Sequence, residues 1–136
     1  MPDGHTIHRL ALDHTRDLAG RALHVSSPQG RNGDIAAVLD GQVLEQVEAR
    51  GKHLFYHWRA APILHIHLGL IGSFRESAAP PPPPGPNVQL RMVGRRAAVD
   101  LVGATTRELI GADRRQQILD RLGPDVLDSE ADPERA

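Results

Sequence analysis

Residues 43–68, VLEQVEARGKHLFYHWRAAPILHIHL, contain the pattern that decides the fold. Two apolar segments, residues 43–49 and residues 53–58, flank the polar step Arg50-Gly51-Lys52, which predicts a β-hairpin. After Pro62, residues 63–68 alternate between apolar side chains and histidines, which predicts a half-buried strand. The apolar faces comprise Leu54, Tyr56 and Trp58 on one strand and Leu64, Ile66 and Leu68 on the next.

On either side of this segment the sequence predicts two helices and further short strands. Residues 4–19 have apolar residues at helical spacing, with Asp3 or Thr6 as N-cap and Gly20 as the stop. Residues 112–122 form a second helix that Gly123 ends. Strands are predicted at residues 23–26, from residue 73 onward, and at residues 87–93, 97–102 and 106–109, with residues 28–34 as a loop. The fold class is therefore mainly β (α+β), a helix followed by seven or eight strands and a final helix.

Two loops are unusual. Leu70 and Ile71 lie between Gly69 and Gly72, at a strand end where apolar residues are uncommon. Either one of them folds back onto the core, or the exposed pair has a function. Residues 80–84 are five successive prolines, which predict an extended, stiff surface loop. Arg31, in the loop at residues 28–34, is interpreted as a plain surface charge.

Composition limits the class of protein. The 136 residues correspond to one domain, and a net charge of −1 does not by itself indicate nucleic-acid binding. The absence of cysteine excludes disulfides and any Cys-ligated zinc site. No signal peptide and no apolar run of about 18 residues is found. We therefore expect a cytoplasmic protein without a membrane partner.

The first residues, Met1-Pro2-Asp3-Gly4-His5-Thr6, carry a candidate for chemistry. Removal of Met1 would leave Pro2 as an N-terminal secondary amine, a group that condenses with aldehydes to a Schiff base. An α-amino group titrates near 7.7–8.0, and a helix N-terminus lowers that value further. Asp3 offers a carboxylate for proton transfer. On these residues alone, a plain helix start remains the alternative.

Four segments together resemble the formamidopyrimidine-DNA glycosylase / endonuclease VIII family. They are the N-terminal string Met-Pro-Asp-Gly-His-Thr, the Arg50-Gly51-Lys52 hairpin, the segment from His67 to Phe74, and the Leu-Gly-Pro-Asp-Val-Leu string at residues 122–127. The resemblance implies base-excision DNA repair of oxidised bases in double-stranded DNA. It also implies a nucleoid-associated monomer without a small-molecule cofactor, and no cofactor is expected in this chain because the family's zinc finger is absent from it. It also implies an eight-stranded β-sandwich flanked by an N-terminal and a C-terminal α-helix.

The resemblance also implies a role for six residues. Pro2 would attack C1′ of the damaged nucleotide and form a Schiff base, with Asp3 as the proton donor or acceptor near the sugar. Lys52 would bind a phosphate beside the lesion, and His67 would contact another phosphate. Leu70 would fill the gap left by the extruded nucleotide, and Ile71 would help to hold the duplex open.

Two departures from the family pattern matter. Asp3 stands where the family typically has Glu, which moves the carboxylate by about 1.5 Å, one C–C bond. Base excision is expected to suffer more than lyase activity on an existing abasic site. The family's second half, with its helix–two-turn–helix element and zinc finger, is missing. We expect residues 1–122 to be the catalytic domain and residues 123–136 a linker, in a fragment of a longer enzyme.

Three other interpretations remain open at this stage. The first is a non-catalytic module of the same fold that binds damaged DNA, and the second is a scaffold that uses the polyproline loop. The third is a metal site built from His5, His8, His65 and His67. The lesion preference is not fixed by the sequence, although His5-Thr6 and Leu70-Ile71 are more similar to the endonuclease VIII side of the family.

Overall fold

The computed structural model of the chain describes the backbone of residues 4–123 and the side chains of residues 6–123. Within this range the chain forms three helices and eight strands. The helices are α1 (Gly4–Leu18), α2 (Gly33–Leu39) and α3 (Ala112–Leu122). The strands are β1 (His24–Ser26), β2 (Leu44–Arg50), β3 (His53–Trp58), β4 (Ile63–His67), β5 (Ser73–Ala78), β6 (Val88–Val93), β7 (Ala97–Val102) and β8 (Thr106–Ile110).

The strands form two four-stranded antiparallel sheets, in the orders β1-β6-β7-β5 and β2-β3-β4-β8. The alternation that predicted these strands places one apolar face of each sheet in a shared core, which α1 also enters through Ile7, Ala11 and Leu18. Gly51, at φ 59°, allows the tight step that pairs Arg50 with His53. The predicted β-hairpin is confirmed.

A second, smaller core lies on the outer face of the β2-β3-β4-β8 sheet. There α3 covers the sheet, and Phe55 packs with Ile110, Ile118 and Leu119. The middle of β4 is therefore buried on both faces, and His65 is only 4% exposed. The prediction that β4 is half-buried was wrong at this point, because a helix more than 40 residues later in the chain covers its polar face.

Helix α2 was not predicted. Its first two residues, Gly33 and Asp34, belong to the segment that was assigned to a loop. The helix has only seven residues, and its stability comes from packing Ala36 and Leu39 into the main core. The other predicted elements are confirmed to within about two residues, a normal uncertainty for helix and strand ends.

The polyproline segment joins β5 to β6 across the intervening strand β7. Arg91 on β6 donates to the carbonyl oxygen of Pro82 at 2.7 Å while it pairs with Asp100 on β7. Gln29 donates to the carbonyl oxygen of Pro86 at 2.6 Å. Side chains of the neighbouring strand and loop thus hold the segment in place. None of the helices in residues 4–123 combines the length and the apolar character that crossing a membrane would need.

Candidate nucleic-acid interface

The two predicted catalytic residues, Pro2 and Asp3, lie outside the residues that the structure describes. The described part of α1 begins at Gly4, directly after them. The structure gives the positions of the other four predicted site residues, Lys52, His67, Leu70 and Ile71.

Lys52 and His67 are brought together by the β2-β3-β4 meander. Lys52 is exposed in the turn between β2 and β3, and the next residue, His53, is paired with His67 on β4. Burial, followed by the charges of His65 and Lys52, lowers the pKa of His67. Because the register places the Lys52 turn beside the end of β4, the two side chains share one region of the surface. The sequence separates them by 15 positions, and the antiparallel pairing removes that separation.

The turn that follows β4 presents two apolar side chains to solvent. Leu70 is 74% exposed and Ile71 is 81% exposed, so the alternative in which one of them folds back onto the core was wrong. A backbone hydrogen bond closes the turn: the Gly72 N–H donates to the carbonyl oxygen of Leu68 at 3.0 Å. A Cβ atom on Gly69, whose φ is 69°, would collide with the hydroxyl of Thr105. In this turn conformation, which position 69 can adopt only as glycine, the side chains of Leu70 and Ile71 point into solvent.

A hydrogen-bonded chain of polar residues lies beside Lys52 and His67. His53 Nδ1 is 2.8 Å from His65 Nε2, and His65 Nδ1 is 2.7 Å from Glu108 Oε2. The ring of His53 also stacks on that of His67, with centroids 4.4 Å apart and planes 14° apart. Burial, followed by the charges of His67 and His65, lowers the pKa of His53 to about 4.

Sequence reasoning missed His53 and Glu108 as members of this site. The predicted hairpin and the strand after it contained a signal for His53, because antiparallel pairing places residue 53 opposite residue 67. Glu108 gave no local signal. It reaches His65 only through the pairing of β4 with β8.

Two clefts adjoin these residues. One, of about 410 Å³, is lined by His53, His65, Thr106, Glu108, Arg114 and Arg121, and closed on its apolar side by Ile118 and Leu122. A second, of about 350 Å³, includes Ile71 and is lined mainly by amides and two arginines, Arg31 and Arg107. Arg31, interpreted as a plain surface charge, is exposed and lines the cleft that includes Ile71. Each cleft is lined by two arginines, Arg114 and Arg121 in the first and Arg31 and Arg107 in the second.

The hypothesis of a histidine metal site finds no support in the described side chains. Within residues 6–123, no three or more His, Asp or Glu side chains form a group that could hold a metal ion, so His8, His65 and His67 do not form one. His65 uses both ring nitrogens, one toward Glu108 and one toward His53. The side chain of His5 lies outside the described residues.

Comparison with known proteins agrees with this architecture. A structure titled MutM in complex with carbocyclic 8-oxo-G containing DNA has a TM-score of 0.74 at 18% identity, covering 88% of this chain and 49% of that one. A complex between the Lactococcus lactis Fpg and abasic site containing DNA has a TM-score of 0.73 at 17% identity, covering 88% and 47%. These likenesses confirm the predicted eight-stranded β-sandwich flanked by helices.

Similarity in sequence extends over the whole chain. Endonuclease 8 1 of Mycobacterium tuberculosis (strain ATCC 25618 / H37Rv) is 48% identical over 140 residues, a match that covers 100% of this chain and 52% of that protein. Endonuclease 8 2 of Mycobacterium bovis is 36% identical over 140 residues, covering 100% and 54%. The chain spans about half the length of the curated relatives it matches.

A family model supplies the assignment. The model described as the formamidopyrimidine-DNA glycosylase N-terminal domain matches residues 1–117, which include the N-terminal string, the Lys52 hairpin and the exposed tip. With most of its 136 residues matched, this chain belongs to the formamidopyrimidine-DNA glycosylase N-terminal domain family.

Proposed function

We propose that the chain is the catalytic half of a bifunctional DNA glycosylase and abasic-site lyase that acts on oxidised bases in double-stranded DNA. The observation that carries the proposal is the grouping of Lys52, His67 and the exposed pair Leu70 and Ile71 on the turns at one end of β3 and β4. Family membership supports it, as do relatives that are named endonuclease 8.

The exposed tip fits a protein that extrudes a nucleotide. Chemistry at C1′ of a duplex nucleotide requires that it leave the base stack, at a cost of a few kcal/mol. An apolar wedge inserted into the gap offsets part of this cost, because its own apolar surface leaves water. Leu70 and Ile71 are the most exposed large apolar side chains among the described residues, and a backbone hydrogen bond from Gly72 to Leu68 closes their turn.

Lys52 and His67 would hold the deformed strand by its phosphates. A lysine in a turn offers a mobile ammonium group, while His67 offers a ring nitrogen at the end of β4. Phosphate contacts fix register and orientation without reading sequence. The arginines of the two adjacent clefts extend the same positive surface.

The chemistry is assigned to Pro2 and Asp3. The lone pair of the Pro2 amine would form a bond to C1′ as the glycosidic bond breaks, and the departing base takes up a proton. Opening of the sugar ring gives the iminium form of the Schiff base. Removal of a proton from C2′ then expels the 3′ phosphate by β-elimination, and water releases Pro2. This sequence uses an amine and a carboxylate, and it needs no cofactor from this chain.

A borohydride trap tests the proposal. The 136-residue chain is mixed with a duplex that carries one abasic site, reduced, and mapped by peptide mass, which also reports removal of Met1. We expect an adduct at Pro2. The matched control carries one extra residue before Pro2, which turns its nitrogen into an amide and should abolish the adduct.

Failure has a defined meaning. No adduct from a folded chain without Met1, and none from a chain extended to the full length of the relatives, would overturn the enzyme proposal. The second candidate, a non-catalytic module that binds damaged DNA, would then replace it. That candidate is favoured by one observation, the Asp at position 3, because the described DNA-facing residues do not depend on it. Either function places the protein with chromosomal DNA, and we propose that it acts as a monomer.

A further inference from the structure

We propose that Glu108, His65 and His53 form a positioning chain that fixes the ring of His67 for contact with a phosphate of the bound strand. The inference rests on the proposed function, because it assigns His67 a DNA phosphate as its ligand. His53, His65 and Glu108 are positioning residues here, and His67 is the residue that contacts DNA.

The direction of the hydrogen bonds follows from what each group can donate. An ionised Glu108 carboxylate only accepts, so His65 must donate from Nδ1 across the 2.7 Å contact. A neutral His65 then has only an acceptor at Nε2, so His53 must donate from its own Nδ1 across 2.8 Å. The carboxylate thereby determines the tautomers of both histidines. This leaves His53 Nε2 without a proton.

The histidine rings of the positioning chain stack between a buried side chain, Phe55, and the more accessible His67. The ring of Phe55, fully buried under α3, lies parallel to His65 with centroids 5.0 Å apart. His53 is nearly parallel to His65 and stacks on His67, each with planes 14° apart. This stacking fixes the orientation of the His53 ring against His65, and the orientation of the His67 ring against His53.

His67 is suited to be the end that meets a ligand. Within the described part of the chain, its ring makes no hydrogen bond to another residue, so its one N–H is free for an external acceptor. Lys52, in the turn beside the end of β4, brings a positive group to the same place. A ring held in one orientation before binding loses less conformational freedom on binding, which is the advantage of a pre-organised contact.

The tautomers give a direct test that needs no DNA. Long-range 1H–15N NMR spectra of the chain at pH 8 should show His65 and His53 both protonated at Nδ1. Glu108→Ala should release the His53 tautomer and shift the His67 ring signals, whereas Glu108→Gln retains an acceptor and should restore the wild-type pattern. The Glu108 side chain is 41% exposed, so neither variant threatens folding. A wild-type His53 protonated at Nε2 would overturn the inference.

Binding tests the functional half of the inference. Titration with a duplex that carries a stable abasic-site analogue should give a Kd that Glu108→Ala raises roughly 2- to 12-fold, the effect of one side chain left to be ordered on binding. In a chain that already carries His67→Ala, Glu108→Ala should not change the Kd for this duplex. A loss that persists without His67 would overturn the inference, as would a wild-type chain that does not bind.

The two proposals can fail separately. An adduct at Pro2 together with no coupling between Glu108 and His67 would reject the positioning chain alone. Coupling and the expected tautomers without an adduct at Pro2 would reject the lyase chemistry and leave a DNA-binding module with a pre-organised phosphate contact.

Discussion

Arg115 on α3 donates two hydrogen bonds to the carboxylate of Glu48 on β2, although the two residues are 67 positions apart. Arg50 and His57 contact the same carboxylate, at 3.2 Å and 2.9 Å. Burial alone would raise the pKa of Glu48, but the hydrogen bonds from His57 and Arg115 and the neighbouring charges lower it to about 2. The last helix is thereby fastened to the strand that leads into the Lys52 turn.

Replacement of Glu48 should destabilise the protein. Glu48→Gln is expected to lower the free energy of unfolding by about 1.5–3 kcal/mol at pH 7, the value of hydrogen bonds to a charged group. Because the folded-state pKa is lowered, the contribution is present above about pH 4.5 and disappears as the pH falls toward 2. Urea unfolding at pH 7 and pH 3 measures both effects. Glu45→Gln on the same strand, whose partner Arg59 lies at 3.7 Å on the surface, should cost less than about 1 kcal/mol.

His14 should make the protein sensitive to mild acid. Its buried ring lies 2.7 Å from the hydroxyl of Tyr56, and burial lowers its pKa to about 4 despite the charges of Asp13 and Asp17. The unfolded chain therefore takes up a proton that the folded chain does not, so stability falls as the pH drops from about 6.5 to 4. The loss should reach about 3 kcal/mol, from a shift of roughly 2.5 pKa units. The unfolding free energy of His14→Gln should depend less on pH over this range. The control His24→Gln, at an exposed site, should show the pH dependence of the wild type.

The exposed tip should matter for DNA and not for folding. Leu70→Ser is expected to weaken binding to an abasic-site duplex roughly tenfold or more, the equivalent of leaving one leucine side chain unburied. Because the side chain is 74% exposed, the unfolding free energy should change by less than about 0.5 kcal/mol. Fluorescence anisotropy and urea unfolding separate the two effects. The control is Val38→Ser, at an exposed apolar residue of α2, which should change neither DNA binding nor the unfolding free energy. Equal losses of DNA affinity in both variants would contradict the wedge role of Leu70.

Lys52 should contribute one phosphate contact. Lys52→Gln is expected to reduce the slope of log K against log salt by about 0.9, the value for one neutralised phosphate of duplex DNA. Binding isotherms at four salt concentrations give the slope. Arg59→Gln, just beyond the other end of β3, removes the same charge away from the predicted interface and should leave the slope unchanged.

The carboxylate at position 3 should limit base excision. Asp3→Glu is expected to raise the single-turnover rate on an oxidised base, by up to about 100-fold if the shorter side chain is misplaced by about 1 Å. Cleavage at a preformed abasic site should change much less. Parallel rates on both substrates provide the comparison, and an equal gain on both would show that Asp3 serves the lyase step as well.

Local patterns were sufficient for most of the fold but not for its long-range contacts. The hairpin of β2 and β3 and the helix Ala112–Leu122 follow from alternation, helical spacing and the stops at Gly51 and Gly123, all of which act within a few residues. Helix α2 was missed because its seven residues depend on packing against the core. The adjacency of Lys52 and His67 follows from the predicted hairpin together with the pairing of the next strand, β4, with β3. Glu108 joins the site only through the pairing of β4 with β8. Sequence patterns do not encode such a pairing locally, because the paired residues His65 and Glu108 are 43 positions apart in the chain.

The five prolines have a consequence for how copies of this protein meet one another. Strand β5 lies at the edge of its sheet, where unpaired backbone groups can recruit a strand from another molecule and start aggregation. The chain that leaves β5 at Ala78 soon runs through residues 80–84, none of which has an N–H group to donate. A strand from another molecule that pairs with β5 therefore cannot continue its backbone hydrogen bonds along the proline segment. Arg91, by holding the carbonyl oxygen of Pro82, also occupies an acceptor that such a strand would use.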